Sequence, residues 1–133
     1  MNQHNPEWSN LLNFKDEQIH DLRALGYTYI TQGLYPTSRE IFEALTILAK
    51  DNLYDIETLG AIYLEEGKSE QALALFDQAL NAGSKSEKTL LNRAKALFGK
   101  GYRNMGIQQA EQLLKSKDTA ISSKAAALLS RYI

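Results

Sequence analysis

Two histidines, His4 and His20, are the only imidazoles in the 133 residues, and there is no cysteine. Disulfides, thiol catalysis and thiolate metal sites are therefore excluded. Neither histidine has a nucleophile or a second ligand near it in sequence from which a catalytic or metal site could be built. His20 fits a surface or binding face better than a ligand set. Glu65-Glu66 falls at a helix end, where paired carboxylates are ordinarily solvated. Gly99-Lys100-Gly101 lacks both the preceding strand and the spacing of a phosphate loop, and reads as a turn. No enzyme, no cofactor and no metal are expected. The remaining chemistry is non-covalent adhesion, carried by seven tyrosines, four phenylalanines and one tryptophan.

The elements that must position those aromatics follow from a repeat. Leu22-x-x-Leu25-Gly26-x-x-Tyr29-x-x-x-Gly33 is answered by Ile56-x-x-Leu59-Gly60-x-x-Tyr63-x-x-x-Gly67, and each is followed at equal spacing by Phe42 or Phe76. A weaker copy runs through Leu90, Ala94, Leu97 and Gly101. The step belongs to tetratricopeptide helix–turn–helix repeats. The expected fold is all-α: a right-handed superhelical stack of three such hairpins, with an N-terminal segment and a C-terminal capping helix. One domain spans 1–133, divided into an N-terminal segment 1–18, repeats at 19–52, 53–86 and 87–117, and a capping helix 118–133.

Local signals support these boundaries. Gly33, Gly67 and Gly101 stop first helices, Pro36 opens a second helix, and Asp51 or Asn52, Ser69, and Asp118 or Thr119 are expected caps. Gly26 and Gly60 let the second helix approach the first, and Ala94 does so less completely. In the segment before Asp16, Trp8, Leu11 and Leu12 share one helical face. That face suits either a flap over the core or a contact that pairs two copies of the chain.

Overall charge excludes little. The formal net charge is −1. Residues 51–87 carry eight acids against two lysines, and residues 88–133 nine basic residues against two acids. Opposite halves suit a dipolar binding surface, and nucleic acid is disfavoured because the whole-chain bias is small. No apolar run approaches the roughly 20 residues of a membrane span, and the first residues lack a secretion-signal layout, so a cytoplasmic protein is expected.

Stacked hairpins leave an inner surface that packing does not dictate. Counting Ile19, Leu53 and Glu87 as first positions, that surface takes positions two, five, nine, twelve and thirteen. Tyr27, Ile30, Tyr54, Ala61, Leu64, Leu91 and Phe98 then form an apolar, aromatic peptide-binding groove, with His20, Arg23, Glu57, Lys88 and Lys95 on its rim. Exposed apolar stripes mark partner sites, and tyrosine offers a rigid apolar face with a polar tip. A two-carboxylate clamp of the kind that holds heat-shock chaperone tails is disfavoured, because Arg23, Tyr27, Thr58, Lys88 and Asn92 stand where its Lys/Asn set is required.

Leu25-Gly26-Tyr27-x-Tyr29-x-x-x-Gly33-x-Tyr35, Ile41-Phe42-Glu43-Ala44-Leu45 and Leu59-Gly60-Ala61-Ile62-Tyr63 together resemble the class II (translocator) chaperones of bacterial type III secretion, the SycD/LcrH type. The likeness covers about residues 17–115. It implies a cytoplasmic, all-helical protein that holds secreted hydrophobic cargo export-ready and binds a short extended cargo segment on its first-helix faces, where Tyr27, Tyr54, Leu64 and Leu91 fall. It also implies a homodimer through the N-terminal region. Arg93 departs from the usual core leucine and Gly106 from the usual alanine. The cargo is a secreted translocator or a smaller export component such as a needle subunit. The rivals are a tetratricopeptide adaptor joining folded proteins, and an RNA-associated repeat using the basic half.

Overall fold

The computed structural model describes residues 16–133, and among them the chain forms helices and no strand. These are α1 (Asp16–Thr31), α2 (Tyr35–Leu48), α3 (Leu53–Glu65), α4 (Ser69–Asn81), α5 (Glu87–Lys100), α6 (Arg103–Leu113) and α7 (Thr119–Leu129). Trp8, Leu11 and Leu12, and with them the expected pairing contact, lie outside the described residues.

The turns are built as the glycine spacing requires. Gly67 adopts φ 77°, a left-handed conformation in which a Cβ would be strained. This lets Lys68 N–H donate to Tyr63 O at 2.9 Å, closing the helix end with a Schellman bond. The same bond recurs one repeat earlier, from Leu34 N–H to Tyr29 O at 2.9 Å.

Caps follow the expected chemistry at two of three places, and Ser86 adds a further one. Asn52 Oδ1 accepts from Asp55 N–H at 3.1 Å, Ser86 Oγ from Thr89 N–H at 3.2 Å, and Asp118 Oδ1 from Ala120 N–H at 3.0 Å. Ser69 is the exception. Lys68 occupies the cap position of α4 without a side-chain bond, and Ser69 Oγ lies against Gly99 instead. A side chain at position 99 would collide with that hydroxyl, so Ser69 and Gly99 form a packing pair rather than a cap.

Two compact units divide the chain, residues 1–55 and 56–133, with the boundary inside α3. In the first, α1 packs on α2. Phe42 and Leu45 are fully buried, and a Cβ on Gly26 would come within 2.6 Å of the Phe42 ring. Burying such a side chain is worth about 2–3 kcal/mol, which outweighs the roughly 1 kcal/mol that glycine costs a helix interior.

The second unit repeats that device and then inverts it. Gly60 lies under Phe76, with a Cβ again 2.6 Å from the ring. In the third hairpin the equivalent positions hold Ala94 and Ala110, both fully buried. The aromatic has moved to the first helix as Phe98, and the glycine facing it is Gly106 on α6, where a Cβ would meet the ring at 2.9 Å. This explains Gly106: the missing side chain makes room for a ring supplied from the other helix. Arg93 is explained as well. Its guanidinium donates to Asp77 Oδ1 at 2.6 Å and Gln109 Oε1 at 2.9 Å, joining α4, α5 and α6 where a leucine could only fill space. Helix α7 packs on α5 and α6 and closes the cluster of Leu91, Phe98, Leu113, Ile121, Leu128 and Leu129.

Candidate functional site

In the first unit the exposed face of α1 and the start of α3 carry an aromatic series. Tyr27 meets the buried Phe42 edge-on at 5.2 Å between ring centroids, and on its other side lies 6.1 Å from the ring of Tyr54. Phe42 is fully buried, Tyr27 half-buried and Tyr54 60% exposed, so the series leads from the core to solvent. Ile30, half-buried on α1, and His20, exposed one turn before Arg23, complete what the expected groove placed here. Among the described residues Tyr54 is the most exposed aromatic.

Arg23 serves that face from behind. Its Nε donates to Asp55 Oδ1 at 2.7 Å and its Nη2 to Asp55 Oδ2 at 2.6 Å, a bidentate pair in which the Asp55 side chain is 0% and the Arg23 side chain 18% exposed. The hydrogen bonds to Asp55 hold the guanidinium pKa above its ordinary value, against a smaller opposing effect of burial. The pair fixes Asp55 directly beside Tyr54. Arg23 thus positions the aromatic face, and its charge is already neutralised by a residue of its own chain.

In the second unit α3 contributes Ala61 and Leu64, both half-buried, and Leu64 rests against the cluster of Ala72, Phe76 and Ala96. Glu57, expected on a rim, is committed to the fold: its Oε2 accepts from Ser84 Oγ and from Thr89 Oγ1, each at 2.5 Å. Lys88 and Lys95 are exposed on α5.

Leu91 and Phe98 depart from the expectation. They are 2% and 8% exposed and belong to the core that α7 closes. Phe98 also stacks flat on Tyr132, with centroids 3.8 Å apart and ring planes at 3°. They do not face a partner, because α7 packs against α5 and encloses them.

The same geometry explains what position counting missed. Arg23 pairs with Asp55 and Glu57 with Thr89, in both cases 32 residues apart. Position five of one repeat therefore reaches position three of the next. Leu91, the third member of the series, is buried in the same cluster as Ile121 near the start of α7. The signal was present in the sequence as complementary residue types two short of the repeat length.

Helical hairpins in series at a fixed step, with small-residue and phenylalanine pairs between their helices, define a tetratricopeptide-like all-α protein. The fold is shared with solved structures from bacterial type III secretion. The type III secretion translocator chaperone SycD of Yersinia enterocolitica superposes with a TM-score of 0.77 at 18% identity, covering 98% of this chain and 94% of that one. PcrH of Pseudomonas aeruginosa gives 0.79 at 20% identity over 92% of this chain and 96% of its own. PcrH in complex with the chaperone binding region of PopD gives 0.78 at 20% identity, covering 90% and 94%. No protein-family model and no curated protein matches the sequence. Among the described residues no helix is long and apolar enough to cross a membrane, and no three His, Cys, Asp or Glu side chains are placed to hold a metal ion.

Proposed function

We propose that this chain is a cytoplasmic type III secretion chaperone that binds an extended apolar segment of a secreted substrate, a translocator or a smaller export component such as a needle subunit. The observation that carries the reading is the Tyr54 ring, 60% exposed and 6.1 Å from that of Tyr27, an aromatic step at the solvent face. Support comes from the likeness in fold to SycD and to PcrH, whose complex with the PopD chaperone binding region is among the matching structures. In this reading Tyr27, Ile30 and Tyr54 take an aliphatic anchor of the cargo, and Ala61 and Leu64 are further contacts. Leu91 and Phe98 are left out, since they already belong to the core. No nucleotide or metal takes part, and the energy comes from burying cargo surface that would otherwise aggregate. Pairing of two copies through the N-terminal segment 1–18 is part of the same proposal.

Co-expression with an otherwise insoluble export substrate encoded beside this chain tests the reading. The chain is expected to keep that substrate soluble. Tyr54→Ala is expected to weaken the complex about 10-fold or more, the effect of losing an aromatic hot spot worth about 2 kcal/mol. A substrate that is equally soluble without the chain, or that binds Tyr54→Ala and wild type alike, counts against it and favours an adaptor.

A further inference from the structure

We infer that the exposed face of α5 reads acidic side chains of the cargo, an inference that rests on the chaperone reading and adds a charge requirement to it. Lys88, Asn92 and Lys95 stand at i, i+4 and i+7 on α5 and so share one stripe. Both lysines are exposed, and among the described residues neither forms an ion pair.

That is unusual for this hairpin. The other three basic residues of α5 and α6 are committed: Arg93 to Asp77 and Gln109, Lys100 to Glu70 at 3.3 Å, and Arg103 to the backbone carbonyl of Tyr132. The acids nearest in register are committed too. Glu57 is held by the hydroxyls of Ser84 and Thr89, and Glu87, next to Lys88, accepts from Ser116 Oγ at 2.7 Å. Two positive charges on one stripe are left unanswered. The apolar side chains of the same helix, Leu91 and Phe98, are withdrawn into the core. What this face offers a partner is therefore charge and one amide, with no apolar surface beside them.

The spacing selects a ligand geometry. Seven helical residues separate the two lysines by about 10.5 Å along the axis. A polyproline-type segment rises about 3.1 Å per residue with three residues per turn, so side chains three positions apart point the same way roughly 9.3 Å from one another. A cargo segment with carboxylates three apart satisfies both lysines at once. Two isolated cations are few for a nucleic acid, which needs several phosphate contacts in parallel.

The test uses the full chain and two fluorescein-labelled synthetic peptides, one with two glutamates three positions apart beside a pair of leucines, the other with glutamines in their place. The glutamate peptide is expected to bind roughly 10-fold tighter at low ionic strength, since each exposed pair is worth up to about 1 kcal/mol. The preference is expected to vanish at high salt and in Lys88→Gln/Lys95→Gln, whose helicity should be unchanged. Tyr54→Ala separates this inference from the reading beneath it. Equal weakening of both peptides upholds the aromatic anchor, while a glutamate preference insensitive to Tyr54→Ala upholds the lysine face alone. Equal affinity of the two peptides, including no detectable binding of either, overturns the inference. So does a preference that survives the double variant, or a single-stranded oligonucleotide that binds more tightly than the glutamate peptide.

Discussion

Replacing Arg23 with methionine keeps an unbranched stem in place and removes the cation. Asp55 is then left fully buried, with both carboxylate oxygens stripped of the donors now at 2.7 and 2.6 Å. Stranding one member of a buried pair costs about 3–5 kcal/mol. The Arg23 side chain is partly exposed, so water can enter the vacated space, and the lower end, about 3 kcal/mol, is expected. That is a large share of the roughly 5–15 kcal/mol by which domains are stable, and it should lower the melting temperature by about 12 °C at roughly 4 °C per kcal/mol. Asp55→Asn should cost less, about 1.5–3 kcal/mol, because only a charge-assisted bond is weakened and Arg23 can turn to solvent. Arg23→Met with Asp55→Leu should recover most of the loss, since no unpaired charge is then buried. Urea unfolding followed by far-UV circular dichroism measures all three. The raised Arg23 pKa means its contribution is fully present below the ordinary arginine range and is lost only above it, so the guanidinium adds no pH dependence near neutrality. An Arg23→Met cost below about 1 kcal/mol, or a double variant as unstable as the single one, would refute the argument.

Two further outcomes follow from the second unit. Gly106→Ala places a Cβ 2.9 Å from the Phe98 ring, and the expected net loss is about 1–2 kcal/mol, overpacking exceeding the gain in helix propensity; a more stable variant in thermal melts would show that the ring can move aside. Glu57→Gln keeps the shape but weakens two hydroxyl bonds, and should destabilise by about 1–3 kcal/mol in urea titrations. If cargo binding falls while stability does not, Glu57 belongs to the binding surface after all.

The helices and their ends were legible because their determinants are local. A glycine every 34 residues, a proline at a helix start and asparagine or aspartate caps act within a turn of themselves. Ser69 was misread as a cap because its partner, Gly99, lies a full hairpin away. The aromatic step of Tyr27 and Tyr54 could be reached by counting positions. Leu91 and Phe98 could not be placed that way. Position twelve is half-buried at Ile30 and Leu64 but enclosed at Phe98, where α7 packs over it. Arg93 and Gly106 looked like departures from a consensus; each compensates for a neighbour the consensus does not contain, Asp77 with Gln109 in one case and the relocated Phe98 in the other.

The two links between positions five and three are chemically unlike one another, cation with anion in one and carboxylate with hydroxyl in the other. A chain that slipped by one hairpin during folding would set Arg23 opposite Thr89 and leave Asp55 interred without a counter-ion. Near-identical hairpins are prone to such misregistration, and each wrong match here carries its own penalty. The joints between repeats thus work as an address code that enforces serial order on units whose individual sequences look interchangeable.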